Sequence, residues 1–436
     1  MYRLNSDLSS PRPVTSLYRR RIRPSNLITP SPEPTRLASK PDPWQRASWW
    51  ITVGCAFLGI VGSALLCYFD LKAVPEVGKL CLVMEDNFDT FDTSVWQHEV
   101  QVDGFGNHEF EWTTADPENS FVEDGKLYIV PTLTEDKLGK DAVFDGYNLT
   151  VPDCTSVNAT ACNVFSNASQ GLVLPPVRSA RLTTKKSRNI QFGRVEIRAR
   201  MPRGFAMISC RVPRAVLTAR SSDWLWPALW MLPVNDTYGP WPASGEIDII
   251  ESRGNDRDYS FQGRNYVSSA LNWGPLSTLN RFFKTRGYSF ERHKSYDKDF
   301  HTFVLEWSQD FLWVYVDTRI IRTLDLRFDH SFFDRGEFPK TILNGTEEIV
   351  LKNPWEGRSN AAPFDQPFYL IMNVAVGGTS GWFPDNIGGK PWLDQSSTAM
   401  RDFARAKDEW YPTWPVDVKQ RALAVDYVKM WQKCQT

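Results

Sequence analysis

Near the middle of the chain, the run Glu246-Ile247-Asp248-Ile249-Ile250-Glu251 sets three carboxylates into six residues of otherwise apolar, strand-like sequence. Burying ionised carboxylates is costly unless they are paired or used, so this stretch must put its acids on one surface and its isoleucines in a core. In a β-strand side chains alternate faces; Glu246 and Asp248 therefore share one face, whereas Glu251, at odd separation, points the other way. A β-bulge at Ile249 and Ile250 sets two residues against one on the neighbouring strand and turns Glu251 back onto the face of the other two. The alternative is a solvated acidic strand edge with Ile247, Ile249 and Ile250 as core. Against it stand Gly245, Pro242 and Trp241, which frame the acids with a turn and an aromatic ring.

Two carboxyls one such repeat apart would stand roughly 5 to 5.5 Å from each other, the separation used in glycoside hydrolysis with retention, where no water fits between acid and nucleophile. One glutamate must then be ionised and the other protonated, and a third acid between them helps hold their pKa values apart. The string resembles the active-site strand of glycoside hydrolase family 16, in its laminarinase-like branch with the bulged E-x-D-x-x-E pattern. The resemblance implies that Glu246 is the nucleophile, Glu251 the general acid/base and Asp248 the residue that tunes them. Further matching strings cover most of the chain beyond Leu80: Phe88 to Trp96, Ser179 to Thr184, Phe192 to Gly204, Asp223 to Pro233, Phe300 to Ser308, Asn373 to Asp385 and Val425 to Gln432.

The fold expected for residues 80–434 is all-β. Short alternating segments separated by Gly, Pro and Asn turns, among them Val122 to Val130, Gly193 to Arg200, His301 to Trp307, Leu312 to Asp317, Phe368 to Val376 and Ala424 to Trp431, argue an antiparallel sandwich. The resemblance sharpens this to a concanavalin A-like jelly roll with a glucan cleft. Cys154 with Cys162, and Cys81 with Cys434 at the two ends of the domain, are the expected disulfides, although spacing alone assigns no connectivity.

The 18 tryptophans, spread along a chain of nearly balanced charge, suit a carbohydrate groove better than a nucleic-acid surface, which needs a basic excess. Trp230, Trp241 and Trp273 are the rings expected to stack on sugars, with Arg181, Arg253 and Asn272 orienting hydroxyls. Many family members carry Leu-His-Trp-Gly where this chain has Leu271, Asn272, Trp273 and Gly274. Five histidines, none at metal-ligand spacing, argue no metal site, and neither a G-x-S-x-G elbow nor a Gly-Lys-Ser/Thr loop is present. No metal or organic cofactor is expected, since protonation and covalent capture supply the chemistry.

Ahead of this domain, residues 1–46 are rich in Pro, Ser and Arg and read as a disordered tail. Residues 47–69 carry no charge and are long enough to cross a bilayer as a helix. Nine Lys and Arg against three acids precede the span, which places the tail in the cytosol and the large domain outside it. All five Asn-x-Ser/Thr sequons, at Asn148, Asn158, Asn167, Asn235 and Asn344, fall on the outer side. Cys55, Gly59 and Ser63 offer a small-residue pairing face, but nothing in the chain sets an oligomeric state.

The expected activity is endo-cleavage of β-1,3-glucan by a membrane-anchored protein. The rivals are a cell-wall glucan transglycosylase and a non-catalytic glucan-recognition protein. The tail and single span are similar to those of fungal members, which implies a wall glucan as substrate. Finally, Phe205 to Ser222 interrupts a run continuous in family members, holds the unpaired Cys210 and lacks turn chemistry. It is read as an unspliced intron translated with the gene.

Overall fold

In a computed structural model the described residues are 42–204, 223–345 and 347–434. The chain divides into two units, Met1–Val74 and Pro75–Thr436. The described part of the first is one helix, Pro43–Ala73, with none of its residues buried. It starts four residues earlier than the composition implied, because Asp42 caps it by accepting from the Trp44 N–H and Pro43 fills the first turn, where no N–H is missed. It also runs on past Phe69, through helix-tolerant Asp70 to Ala73, until Val74, which precedes Pro75 and is pushed to extended backbone. By length and composition this helix could cross a membrane. The expected tail lies outside the described residues up to position 41, and so does the 205–222 segment with Cys210.

The second unit is built on two eight-stranded antiparallel sheets, with three smaller sheets of two or three strands beside them. One runs Arg322–Arg327, Phe311–Val316, His301–Trp307, Gly193–Arg200, Leu423–Lys433, Lys126–Ile129 and Ser120–Glu123, with Leu80–Asp86 also pairing with Leu423–Lys433. The other, which bears the acids, runs Arg286–Phe290, Tyr266–Asn272, Glu246–Glu251, Leu225–Pro233, Phe368–Val376, Arg181–Thr183 and Gln97–His98, with Asn189–Ile190 beside Phe368–Val376. The jelly-roll sandwich expected from the sequence is thus the architecture. Gly193–Arg200 shows why: Gly193, Val195, Ile197 and Ala199 are buried, and the arginines and glutamate between them are not. The inward faces of both sheets merge into one core, in which Leu229, Ile247, Ile250 and Met372 of the acid-bearing sheet join Val195, Leu305, Val314 and Val428 of the other.

Three of the expected strands keep their bounds, at Gly193–Arg200, His301–Trp307 and Phe368–Val376. Val122 to Val130 does not form one strand. Asp124 and Gly125 both take positive φ, 52° and 65°, and fold the segment into a tight hairpin between Ser120–Glu123 and Lys126–Ile129. The disulfides are Cys81–Cys434 and Cys154–Cys162. The first joins the outermost strands of the domain in chain order, with Cα atoms 5.2 Å apart.

Candidate active site

The acid strand Glu246–Glu251 pairs with Leu225–Pro233 on one side and Tyr266–Asn272 on the other, and its register slips on both. Toward Leu225–Pro233, Asp248 faces Trp230 and Ile250 faces Leu229, so Ile249 has no partner; toward Tyr266–Asn272 the slip lies between Asp248 and Glu251. Ile249 and Ile250 are consecutive and both belong to the core, as a bulge at this point permits. The bulge therefore places Glu251 on the face of Glu246 and Asp248, and all three line one cleft of about 400 Å³. Glu246 and Trp241 also line an adjoining cavity of about 700 Å³, with Trp230 and Arg181.

Each glutamate has its own donor. Trp241 Nε1 donates to Glu246 Oε2 at 3.0 Å, and Trp226 Nε1 donates to Glu251 Oε1 at 2.9 Å. Asn272, directly opposite Glu246 in register, donates through Nδ2 to Glu246 Oε1 and to Asp248 Oδ2, each at 2.8 Å. Its amide is oriented by Asn280, whose Nδ2 donates to Asn272 Oδ1 at 2.7 Å. Asn272 is thus a bridge between two acids.

Burial, reinforced by the charge of Glu251, pushes Glu246 up to about 7, while hydrogen bonds from Asp248 and Trp241 oppose the rise. Burial and the neighbouring glutamates drive Asp248 well above the ordinary carboxyl range, so Asp248 keeps its proton and donates it toward Glu246. Glu251 is raised by burial, against the Trp226 hydrogen bond and the charges of Arg253 and Arg286. Burial thus raises all three carboxyls, and the three donors on Glu246 are what favour its charge.

Of the other expected residues, Trp241 is 46% exposed beside Glu246 and lines the cleft. Trp230 is half-buried, donates to Asn373 Oδ1, and has the Arg181 guanidinium 4.7 Å from its ring. Arg181 is also held by Glu99 and lies 3.9 Å from the Phe105 ring. Arg253 stands over Trp382 at 3.8 Å and donates to its carbonyl, while the Trp382 ring stacks on Trp226 at 4.8 Å. Arg253 thus buttresses the ring that holds Glu251.

Trp273 is not in the cleft. It is fully buried, packs edge-on against Phe332 and donates through Nε1 to Thr285. The reason is parity: Asn272 faces the acids, so its neighbour must face the core. The same rule finds a residue the sequence reading left out, since Trp226, Ala228 and Trp230 alternate onto one face. Also unanticipated are Glu109 and Glu111, both nearly fully buried, of which Glu111 accepts from the Val376 N–H. Burial raises both, Glu111 the more, and the charge of Glu109 in turn opposes ionisation of Glu251. Their signal was the alternation in Asn107-His108-Glu109-Phe110-Glu111, which repeats the acid spacing of the bulged strand.

The family model described as "Glycosyl hydrolases family 16" matches residues 153–366. A "Beta-1,3-glucan-binding protein" of Penaeus monodon is 40% identical over 363 residues, covering 81% of this chain and 90% of that protein. The "Glucan endo-1,3-beta-glucosidase A1" of Niallia circulans is 29% identical over 70% of this chain and 35% of its own length. Among solved structures, the laminarinase from Rhodothermus marinus superposes with a TM-score of 0.47 at 25% identity, over 81% of this chain and 98% of that one. None of these three is fungal.

Proposed function

The chain belongs to glycosyl hydrolase family 16, and from that premise we propose that it cleaves internal β-1,3-glucan linkages by a retaining double displacement, with Glu246, Asp248 and Glu251 as its machinery. The observation that carries this reading is the bulge, which gathers all three acids on one face with a separate donor on each glutamate. In the first step a Glu246 oxygen attacks the anomeric carbon, the glycosidic C–O bond breaks, and the departing oxygen takes the Glu251 proton. In the second, Glu251, now a carboxylate, takes a proton from water as the water oxygen displaces Glu246, and the anomeric configuration is restored. Asp248 keeps its own proton throughout and stabilises the Glu246 carboxylate. Trp230, Trp241 and Arg181 hold the sugar chain.

The name of the Penaeus monodon relative favours one second reading, a recognition protein that binds β-1,3-glucan without cutting it. Incubating the purified domain with laminarin and sizing the products separates the two, and added oligosaccharide acceptors expose transglycosylation as longer chains. Glu246→Gln, an isosteric change, is expected to abolish product formation and keep glucan binding. Wild-type turnover in that variant would remove Glu246 from the mechanism, and binding without any turnover in the wild type would establish the second reading. We assign the helix Pro43–Ala73 as a membrane anchor with the domain on the extracytoplasmic side, supported by its apolar length and by the basic residues ahead of it. Protease added to sealed microsomes should spare the domain; its digestion would reverse the orientation.

A further inference from the structure

Strand register runs one row of residues straight across the acid-bearing sheet: Arg181, Asn373, Ala228, Glu251, Ser268, Tyr288. All point to the cleft face. In one direction from Glu251 the row enters the cavity that holds Glu246, Trp230 and Arg181. In the other it reaches Arg286–Phe290, the last strand of the sheet path, where exposure alternates and Arg286, Tyr288 and Phe290 point outward. Tyr288 is 54% and Phe290 43% exposed, and the two flank Tyr266, whose ring stacks on Phe290 at 5.3 Å and lies 5.9 Å from Tyr288. A protein leaves two aromatic rings exposed against a third, half-buried one at the end of a binding row at a cost in apolar exposure.

We infer that Tyr266, Tyr288 and Phe290 form an aromatic rail that binds the leaving-group side of a β-1,3-glucan chain beyond Glu251. The assignment rests on the proposed function, because Glu251 fixes direction: the group that protonates the departing oxygen stands where the departing sugar lies. Tyr288 is two strand spacings from Glu251, about 10 Å, so the rail meets sugars past the first leaving one. Aromatic faces suit such a ligand, since an uncharged pyranose ring offers C–H bonds on one face and no partner for an ion pair. The continuity of the row with the cleft argues for the same glucan chain rather than for another occupant.

The test uses the whole protein carrying Glu246→Gln, so that ligands survive, and measures Kd for laminarin oligosaccharides of increasing length. Affinity should grow with length in this parent. Adding Tyr288→Ala and Phe290→Ala should weaken binding of the long chains about tenfold and flatten the length dependence, and Tyr288→Phe should retain affinity because the ring remains. Thermal unfolding of each variant shows whether the edge strand stays folded; Tyr288→Phe, which removes only a hydroxyl, against Tyr288→Leu gives the same comparison should the alanines fail. Unchanged long-chain affinity in the alanine variant would overturn the rail alone. A parent that binds no glucan of any length would overturn the rail together with the proposed function. Unchanged affinity accompanied by loss of a dimer in sedimentation would show that the face pairs with a second copy of this chain instead.

Discussion

Trp241 stands beside Glu246 in two separable ways, through a ring that lines the cleft and through its N–H on the carboxylate. Attack requires ionised Glu246, so the rate is full above its pKa and falls as pH drops through it. With that pKa at about 7, the acid limb of kcat/KM is expected near neutrality rather than near the 4.5 of an unperturbed glutamate. Trp241→Phe keeps a ring and deletes the donor. Glu246 then loses one of the groups that favour its charge, its pKa rises further, and the acid limb moves to higher pH. A limb that stays put or moves down would show that the indole N–H does not act on Glu246. The three acids were legible because carboxylates in an apolar strand are expensive and therefore conspicuous. Asn272 and Trp273 were harder: adjacent residues cannot both face the cleft, and only strand register decides which one does.

The acid strand carries one residue more than strict alternation needs, and the bulge absorbs it. Deleting Ile249 would leave Glu246, Asp248 and Glu251 alternating with Ile247 and Ile250 on an unbulged strand, with the acids still on one face. The variant is therefore expected to fold, less stable by about 2–5 kcal/mol for the buried side chain it loses, and thermal unfolding measures the loss. A deletion variant that fails to fold would show that the extra residue does more than keep the acids facing one way. Element by element, the sequence disclosed strands whose buried faces alternate cleanly, such as Gly193–Arg200. The Asp124–Gly125 hairpin fell inside the expected strand Val122 to Val130, although Asp-Gly is a pair that favours a two-residue turn. The helix ends, likewise, followed Asp42 and Pro75 rather than the limits of the uncharged run.

Across the whole domain, the flanks of residues 205–222 meet. A side chain at Gly204 would land on the Asp223 carboxylate, so the strand Gly193–Arg200 and the strand Leu225–Pro233 are bridged without that segment. Removing it and joining Gly204 to Asp223 is expected to leave the melting temperature and any glucan affinity intact, the result the intron reading requires; a variant that fails to fold would assign the segment a structural role. The outer ends of the domain also meet, with the Cys81–Cys434 bond and a hydrogen bond from the Cys434 N–H to the Lys79 carbonyl. Traced along covalent bonds, the chain from Cys81 to Cys434 is therefore a closed ring, and one cut in a ring separates nothing. Protease cleavage between positions 204 and 223 would yield two polypeptides that migrate as one species until a reductant is added. Even then Gly193–Arg200, from the first piece, would sit between His301–Trp307 and Leu423–Lys433, from the second, held by two full ladders of backbone hydrogen bonds.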